Sequence, residues 1–457
     1  MTTPMNLPNY FLADLPHTAP LSPTLITEAC QTLRQNRARY LAQRSTQSLI
    51  ELLSQLARSW LQPDYPFRKM AIDRGPASTG FSRATLSNGL DSFFREMTPE
   101  NFHALLEQDL GHAQRLDQFA AGGTGHQIQR TAIAVAPELV VHIASGNVPN
   151  PSFHSLVLGL LLRSAQFLKC ARGMTLLPRL FAHSLYDADP KLGACLEIAS
   201  WHGGNAGLEH ALFEEADCVT ATGTDETLAS IRQRLPHYKR FLAYGHRVSF
   251  GYIASDALGG GGARKLARQA AVDVAAWNQL GCLSPHVIYV QNGGLVSPER
   301  FAELLAEALA EIELTQPRGE LPADAAAAIA SRRALYEVRA AHSPGTRHWC
   351  SQGSTAWTVI FEAAPQFQLS CLNRFIYVKG VKDFAEALQS ADTVRGKVST
   401  VGLAAPEPLA RNLATELARW GVTRVCPLGQ MQNPPLAWRH DGRPALGDLV
   451  TWTDWES

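Results

Sequence analysis

Cys282 stands in the segment Val272-Asp-Val-Ala-Ala-Trp-Asn-Gln-Leu-Gly-Cys-Leu-Ser-Pro285. A thiol on a short turn between a helix end and a strand can face a cleft and act as a nucleophile. The plainer reading is that cysteine packs as a small hydrophobe unless its surroundings activate it. Three other clusters could handle charge. Asn147, in Ser145-Gly-Asn-Val-Pro-Asn-Pro151, ends a strand beside two prolines. Its amide can donate to an oxyanion, or simply satisfy the backbone of its own turn. Lys169 and Arg172 follow a second strand and suit a phosphate or ribose, or form a solvated loop. Gly223 and Thr224 open a helix after a further strand. There, unbonded N–H groups favour an anion, and Thr224 can equally be the N-cap. Trp201-His-Gly-Gly-Asn-Ala-Gly207 is glycine-rich without matching a dinucleotide fingerprint.

These residues need elements to hold them. Apolar Leu266, Ala270, Val274 and Trp277 predict a helix over 263–280, with Gly281 as its left-handed stop and Pro285 preventing a restart. Val287–Val290 then reads as a buried strand. Leu25 to about Phe119 is mostly helical: Ser48–Trp60 is amphipathic and ended by Pro63 and Pro66, and Thr98-Pro99 caps another helix. Ala120-Ala-Gly-Gly-Thr-Gly125 reads as a flexible link. From Thr131 strands alternate with helices. Strands are expected at Leu139–Ala144, Ala165–Lys169 and Asp217–Thr222, and helices at Phe153–Ser164, Phe181–Asp187, Lys191–Glu197 and Glu226–Arg234. That rhythm predicts a doubly wound parallel sheet, with ligands at the carboxyl ends of its strands.

The 457-residue chain balances 41 basic against 41 acidic residues, so no global field favours nucleic acid or an anionic membrane. No apolar run is long enough to span a bilayer, and Met1–Pro20 lacks the pattern of a secretion signal. Eight cysteines without paired spacing read as reduced thiols of a cytoplasmic protein, not as a disulfide or zinc framework, and no metal is expected.

Taken in order, the Asn-x-Pro turn, the strand ending in Lys169, the Gly-Thr turn and the Cys after Asn-Gln-x-Gly are similar to the aldehyde dehydrogenase superfamily. More narrowly, the chain resembles the acyl-CoA reductases related to the fatty-acid reductase of bacterial luminescence. That match rests on Ser145–Pro149, Asn278–Pro285, Arg424-Val-Cys-Pro-Leu-Gly-Gln-Met-Gln-Asn-Pro-Pro435 and the tail His440–Val450. Trp60–Pro66 and Gly80–Arg83 also fit. The resemblance implies an α/β, aldehyde dehydrogenase-like fold. It has a helical region over 1–120, a dinucleotide-binding domain over 121–255, a catalytic domain over 256–400 and a C-terminal segment, 401–457, contributing to oligomerisation. It makes Cys282 the acylated nucleophile and Asn147, with the Cys282 N–H, the oxyanion hole. Lys169 goes to the adenosine ribose, and Gly223 and Thr224 to the pyrophosphate.

Two departures refine this. Aldehyde-oxidising members carry a water-activating glutamate before the cysteine, yet no glutamate occurs between Glu226 and Glu299. Without that base a thioester is better resolved by another thiol than by water. Many NAD-preferring members have a glutamate where this chain has Arg172. An arginine there attracts the 2′-phosphate of NADPH. Glu362 matches the superfamily's nicotinamide-ribose glutamate only by rough position. The expectation is an NADPH-dependent reductase that turns an acyl thioester, from acyl-CoA or an acylated protein, into an aldehyde. The resemblance further implies a homo-oligomer and an acyl-donating protein partner. His246 and Arg247 are candidates for activating the thiol. Two other readings stay open: a cysteine acyltransferase or thioesterase without a cofactor, and a silent scaffold in an acyl-transfer complex. Consumption of NADPH with acyl-CoA separates them.

Overall fold

The computed structural model describes residues 7–16, 19–121, 130–259 and 261–456. Residues 122–125 of the expected link lie outside them. The chain divides into two compact units: residues 1–79, 90–245 and 435–457 form one, and residues 80–89 and 246–434 the other.

The first unit begins with helices Pro23–Asn36, Thr46–Leu61 and Pro66–Thr79, and continues with Pro99–Leu110. Thr46–Leu61 buries Leu49, Leu53, Leu56 and Trp60 along one face, and Ser45 caps it by accepting from the Ser48 N–H. It stops before Pro63, whereas Pro66 opens the next helix. Pro is tolerated there because the first N–H groups of a helix have no intrahelical partner. Thr98 caps Pro99–Leu110, and Gly111, at φ 72°, ends it.

Strand β1 (Arg130–Val135) forms an antiparallel ribbon with the C-terminal strand Thr451–Glu456. Strands β2 (Leu139–Ile143), β3 (Ala165–Cys170), β4 (Leu196–Ser200), β5 (Cys218–Thr222) and β6 (Arg240–Tyr244) form a parallel sheet in the order β4-β3-β2-β5-β6. The order reverses direction between β2 and β5, the switch point at which doubly wound sheets bind ligands. Strand β4 corrects the helix expected over Lys191–Glu197. Only Pro190–Gly193 is helical, because Leu196 and Ile198 are buried and Leu196–Ser200 pairs with β3.

The second unit is built on β7 (Val248–Ile253), β8 (Pro285–Gln291), β9 (Thr346–Cys350), β10 (Thr358–Glu362), β11 (Phe375–Val381), β12 (Val398–Ala404) and β13 (Arg424–Pro427). They form one seven-stranded sheet in the order β13-β12-β7-β8-β11-β10-β9, with only β9 antiparallel to its neighbour. Helices Gly262–Ala275 and Pro298–Thr315 cover one face. Ile329 and Tyr336 of helix Ala323–His342, with Leu413 and Leu417 of Leu409–Trp420, bury the other. Burial on both faces accounts for near-continuous apolar strands such as Val287–Val290. Among the described residues no helix is long and apolar enough to cross a membrane.

One buried polar residue pins the centre of the parallel sheet. The His142 ring reaches Gln166 Oε1 through Nε2 (2.9 Å) and Thr220 Oγ1 through Nδ1 (2.7 Å), joining β2 to β3 and β5. A carbonyl oxygen only accepts, so Nε2 carries the proton and Nδ1 accepts from Thr220: the ring is neutral. Burial depresses its pKa to about 4. The unfolded chain therefore takes up this proton first as pH falls below about 6.5, and the contribution of His142 to stability is lost between there and the folded value. We predict that His142→Gln is less stable than wild type at about pH 7.5, and that the gap shrinks by about 2 kcal/mol at about pH 5. Urea unfolding at the two pH values checks this; a gap independent of pH would contradict it.

Candidate active site

Cys282 belongs to the second unit, and the segment before it is not the continuous helix expected over 263–280. Helix Gly262–Ala275 ends early, and Trp277, Asn278 and Gln279 take left-handed conformations with φ 48°, 52° and 65°. The left-handed stop expected at Gly281 is thus taken by three residues that carry side chains, each at a cost of roughly 1–2 kcal/mol. Their side chains show what holds them. The Trp277 ring meets Phe81 edge-on at 5.2 Å and lies against Gly89, where a Cβ would come within 1.9 Å of it. Asn278 Nδ2 donates to the Arg318 carbonyl (2.8 Å). The buried Gln279 amide donates to the carbonyls of Pro285 (2.7 Å) and Phe375 (2.9 Å) and accepts from the Phe375 N–H (2.9 Å).

After this run the Ser284 N–H donates to the Gly281 carbonyl (3.0 Å), closing a turn with Cys282 and Leu283 at its centre. The Cys282 carbonyl accepts from Ser249 Oγ on β7 (2.7 Å), and Ser249 Oγ accepts from the Thr400 N–H on β12 (3.1 Å). The backbone of Cys282 is thereby tied to two neighbouring strands. The residue itself is half-buried. Cys30, Cys170, Cys195 and Cys218 are buried, and burial pushes each thiol up to about 12. Burial likewise pushes Cys426 up to about 11.

Sequence reasoning missed Ser249, which no motif marks, and Arg424, which lay within a quoted motif but had no role. The Arg424 guanidinium, on β13, interacts electrostatically with Cys426, Asp273 and Cys282. Of the two residues named as candidates for activating the thiol, Arg247 donates to the Gly396 carbonyl (2.9 Å), and His246 interacts electrostatically with His286. Glu362 is buried and paired with Lys379 (3.0 Å) and Arg339 (2.9 Å).

The remaining predicted residues lie at strand ends of the first unit. Asn147, after β2, is exposed and its side chain makes no hydrogen bond among the described residues, so it does not satisfy its own turn. Lys169, at the end of β3, is 8% exposed, and burial depresses its pKa. Its ammonium has no ion pair or hydrogen bond among the described residues and lies 5.9 Å from the Trp201 ring centroid. Trp201 Nε1 is buried and also without a partner among the described residues. Beyond Trp201, Gly203 and Gly204 face open space. Arg172 is exposed with no partner among the described residues. At the end of β5 the Gly223 N–H is bonded to the Tyr244 carbonyl (3.2 Å). Thr224 accepts from the Thr227 N–H (3.3 Å) as N-cap of Asp225–Arg234. Asp225 and Glu226 fill the first turn of that helix. The capping reading of Thr224 is what the structure shows, and two carboxylates there make it a poor anion site by itself.

A parallel sheet with its switch point between β2 and β5, together in one chain with a second α/β unit that presents a cysteine on a turn, is the architecture of the aldehyde dehydrogenases. The chain superposes on an aldehyde dehydrogenase from Anabaena variabilis with a TM-score of 0.68, at 16% identity over 96% of this chain and 93% of the other. It superposes on an NAD-dependent benzaldehyde dehydrogenase from Corynebacterium glutamicum with a TM-score of 0.70, at 14% identity over 95% and 91%. Within that fold class the chain belongs to the acyl-CoA reductase (LuxC) family, whose profile matches residues 41–452. Relatives include a long-chain acyl-protein thioester reductase of Photorhabdus laumondii, 21% identical over 90% of this chain and 82% of its own length. A second, long-chain acyl-protein thioester reductase 2 of Photobacterium leiognathi, is 22% identical over 77% and 70%.

Proposed function

We propose that this protein reduces an acyl thioester to an aldehyde with NADPH, through a covalent thioester on Cys282. The observation that carries this reading is the Cys282 turn: a half-buried thiol whose backbone is fixed by Ser249 and whose approach is fixed by Gln279. A positioned thiol attacks a carbonyl without reorganising its own surroundings. Cys282 Sγ bonds to the acyl carbon, the bond to the departing thiol breaks, and that thiol leaves with the proton. Asn147, whose amide has no hydrogen-bond partner among the described residues, would donate to the oxyanion that forms in this step. After reduction of that thioester by a hydride and a proton, the resulting thiohemiacetal on Cys282 breaks its C–S bond, which releases the aldehyde and restores the thiol.

The strand ends of the first unit fit the adenosine half of a dinucleotide. Lys169 and the Trp201 Nε1–H are buried donors without partners among the described residues, and Gly203 and Gly204 leave room beside them. Lys169 would hold the ribose and Arg172 the 2′-phosphate, while Gly223 and Thr224 would only line the pyrophosphate by close packing, since the helix start behind them is taken up by the Thr224 cap and two carboxylates. A bound NADPH supplies the hydride that takes the Cys282 thioester to the aldehyde level. Hydrolysis is disfavoured because no glutamate lies in residues 227–298 to activate water, and Glu362 is held by Lys379 and Arg339.

The family profile and the names of the relatives favour a thioester carried by CoA or by a protein, and the chemistry at Cys282 is the same for both. Self-association is assigned to the ribbon of β1 and Thr451–Glu456. A two-stranded sheet is marginal alone, and this one exposes Trp452 and Trp455.

Two outcomes are expected. Cys282→Ser should fold normally and lose aldehyde formation and NADPH consumption with acyl-CoA, because a serine hydroxyl is barely ionised; retention of most activity would place the nucleophile elsewhere. Arg172→Glu should weaken NADPH far more than NADH. A charge-assisted bond to the 2′-phosphate is worth about 1.5–3 kcal/mol, or about ten- to hundredfold in affinity. Dissociation constants for both cofactors decide this, and an unchanged ratio removes Arg172 from the cofactor site.

A further inference from the structure

The motif Arg424–Pro435 has no part in the chemistry above, yet the structure fixes its loop in three ways and joins it to the Cys282 turn through one side chain. Asp273, fully buried on helix Gly262–Ala275, accepts from the backbone N–H groups of Gly429 (2.5 Å) and Met431 (2.9 Å). Arg424 donates to the carbonyls of Met431 (2.7 Å) and Gln430 (2.8 Å). Met431 and Leu428 fit beneath the loop only because β12 has Gly402, where a Cβ would come within 2.6 Å of the Met431 sulfur. Gly429, at φ 91°, lies against Gln269 with no room for a side chain. The loop is therefore fixed by a carboxylate, a guanidinium and close packing. One side chain leaves it for the Cys282 turn: buried Gln432 donates from Nε2 to Ser284 Oγ (2.9 Å), and a Cβ on Gly281 would sit 3.2 Å from Gln432 Oε1.

We propose that the loop Leu428–Asn433 is the brace that positions Cys282, and that Gln432 is the positioning residue that couples the loop to the turn through Ser284. This rests on Cys282 being the nucleophile. The turn Gly281–Ser284 has Ser249 on one side, holding the Cys282 carbonyl, and Gln432 on the other. With both in place the thiol keeps one orientation. Without Gln432 the turn pivots on the Ser249 bond, and the attack geometry spreads. Asp273 and Arg424 act at one remove, by fixing the loop.

The test uses the full chain with Gln432→Ala, Ser284→Ala and the double variant. Two readouts are compared: the rate of iodoacetamide alkylation at Cys282 relative to Cys350 in the same molecule, and kcat against KM for aldehyde formation. Each single variant should lower the Cys282:Cys350 ratio and kcat by about tenfold, with KM within about twofold. The double variant should be no worse than either single, because all three lose the same bond. An unchanged or raised ratio in both singles, losses that multiply in the double, or equal loss at both cysteines overturns the proposal. Ser284→Ala removes a single hydroxyl and carries the test if Gln432→Ala fails to fold. Aldehyde formation by Cys282→Ser refutes the nucleophile assignment instead, and the alkylation ratio reports on the brace in either case.

Discussion

Three consecutive left-handed residues, none of them glycine, lead into Cys282. A chain left to itself would not adopt that conformation, because each Cβ crowds a neighbouring carbonyl. It persists here because each side chain is buried and engaged: Trp277 on Gly89 and Phe81, Asn278 on Arg318, and Gln279 on Pro285 and Phe375. Strain of this kind survives only where the surroundings over-determine it, and it collects where geometry matters for function. The end of the β10–β11 connection mirrors it, with Leu372, Asn373 and Arg374 also left-handed. Gln279 bridges the two runs by bonding Phe375, so the start of β11 and the approach to Cys282 are set together.

The strand ends of the first unit follow a different logic. Nothing is strained there; instead donors stand without partners. A buried ammonium usually has an ion pair, because desolvation otherwise favours its neutral form. Lys169 has only a ring face among the described residues, and the pKa depression follows from its burial. The indole N–H of Trp201 is in the same position. Leaving such groups unmatched destabilises the protein by itself, which is the expected cost of a surface shaped for a polar ligand.

What was legible in the sequence was local. The alternation of strands and helices gave the parallel sheet, and Gly281, Pro285 and apolar Val287–Val290 placed Cys282 on a turn before β8. Thr98 caps its helix as its type suggests. What was hidden depends on distant partners. The left-handed run carries no glycine to mark it, and its apolar spacing looks helical to its end. Leu196–Ser200 is a strand because β3 lies beside it, although the preceding residues favour a helix. Ser249 lies 33 residues from the carbonyl it holds and Gln432 lies 148 from Ser284, separations that no local pattern encodes. Thr224 was ambiguous from sequence, and only its bond to the Thr227 N–H decides for capping.

The proposed chemistry turns on Cys282 carrying the acyl group. Intact-mass measurement after incubation with a long-chain acyl-CoA, without any reductant, tests it most directly. One added acyl group per chain is expected, mapped to Cys282 by peptide digestion, discharged by excess thiol, and released as aldehyde when NADPH is added. Consumption of acyl-CoA with no adduct, or with the adduct on another residue, would contradict it.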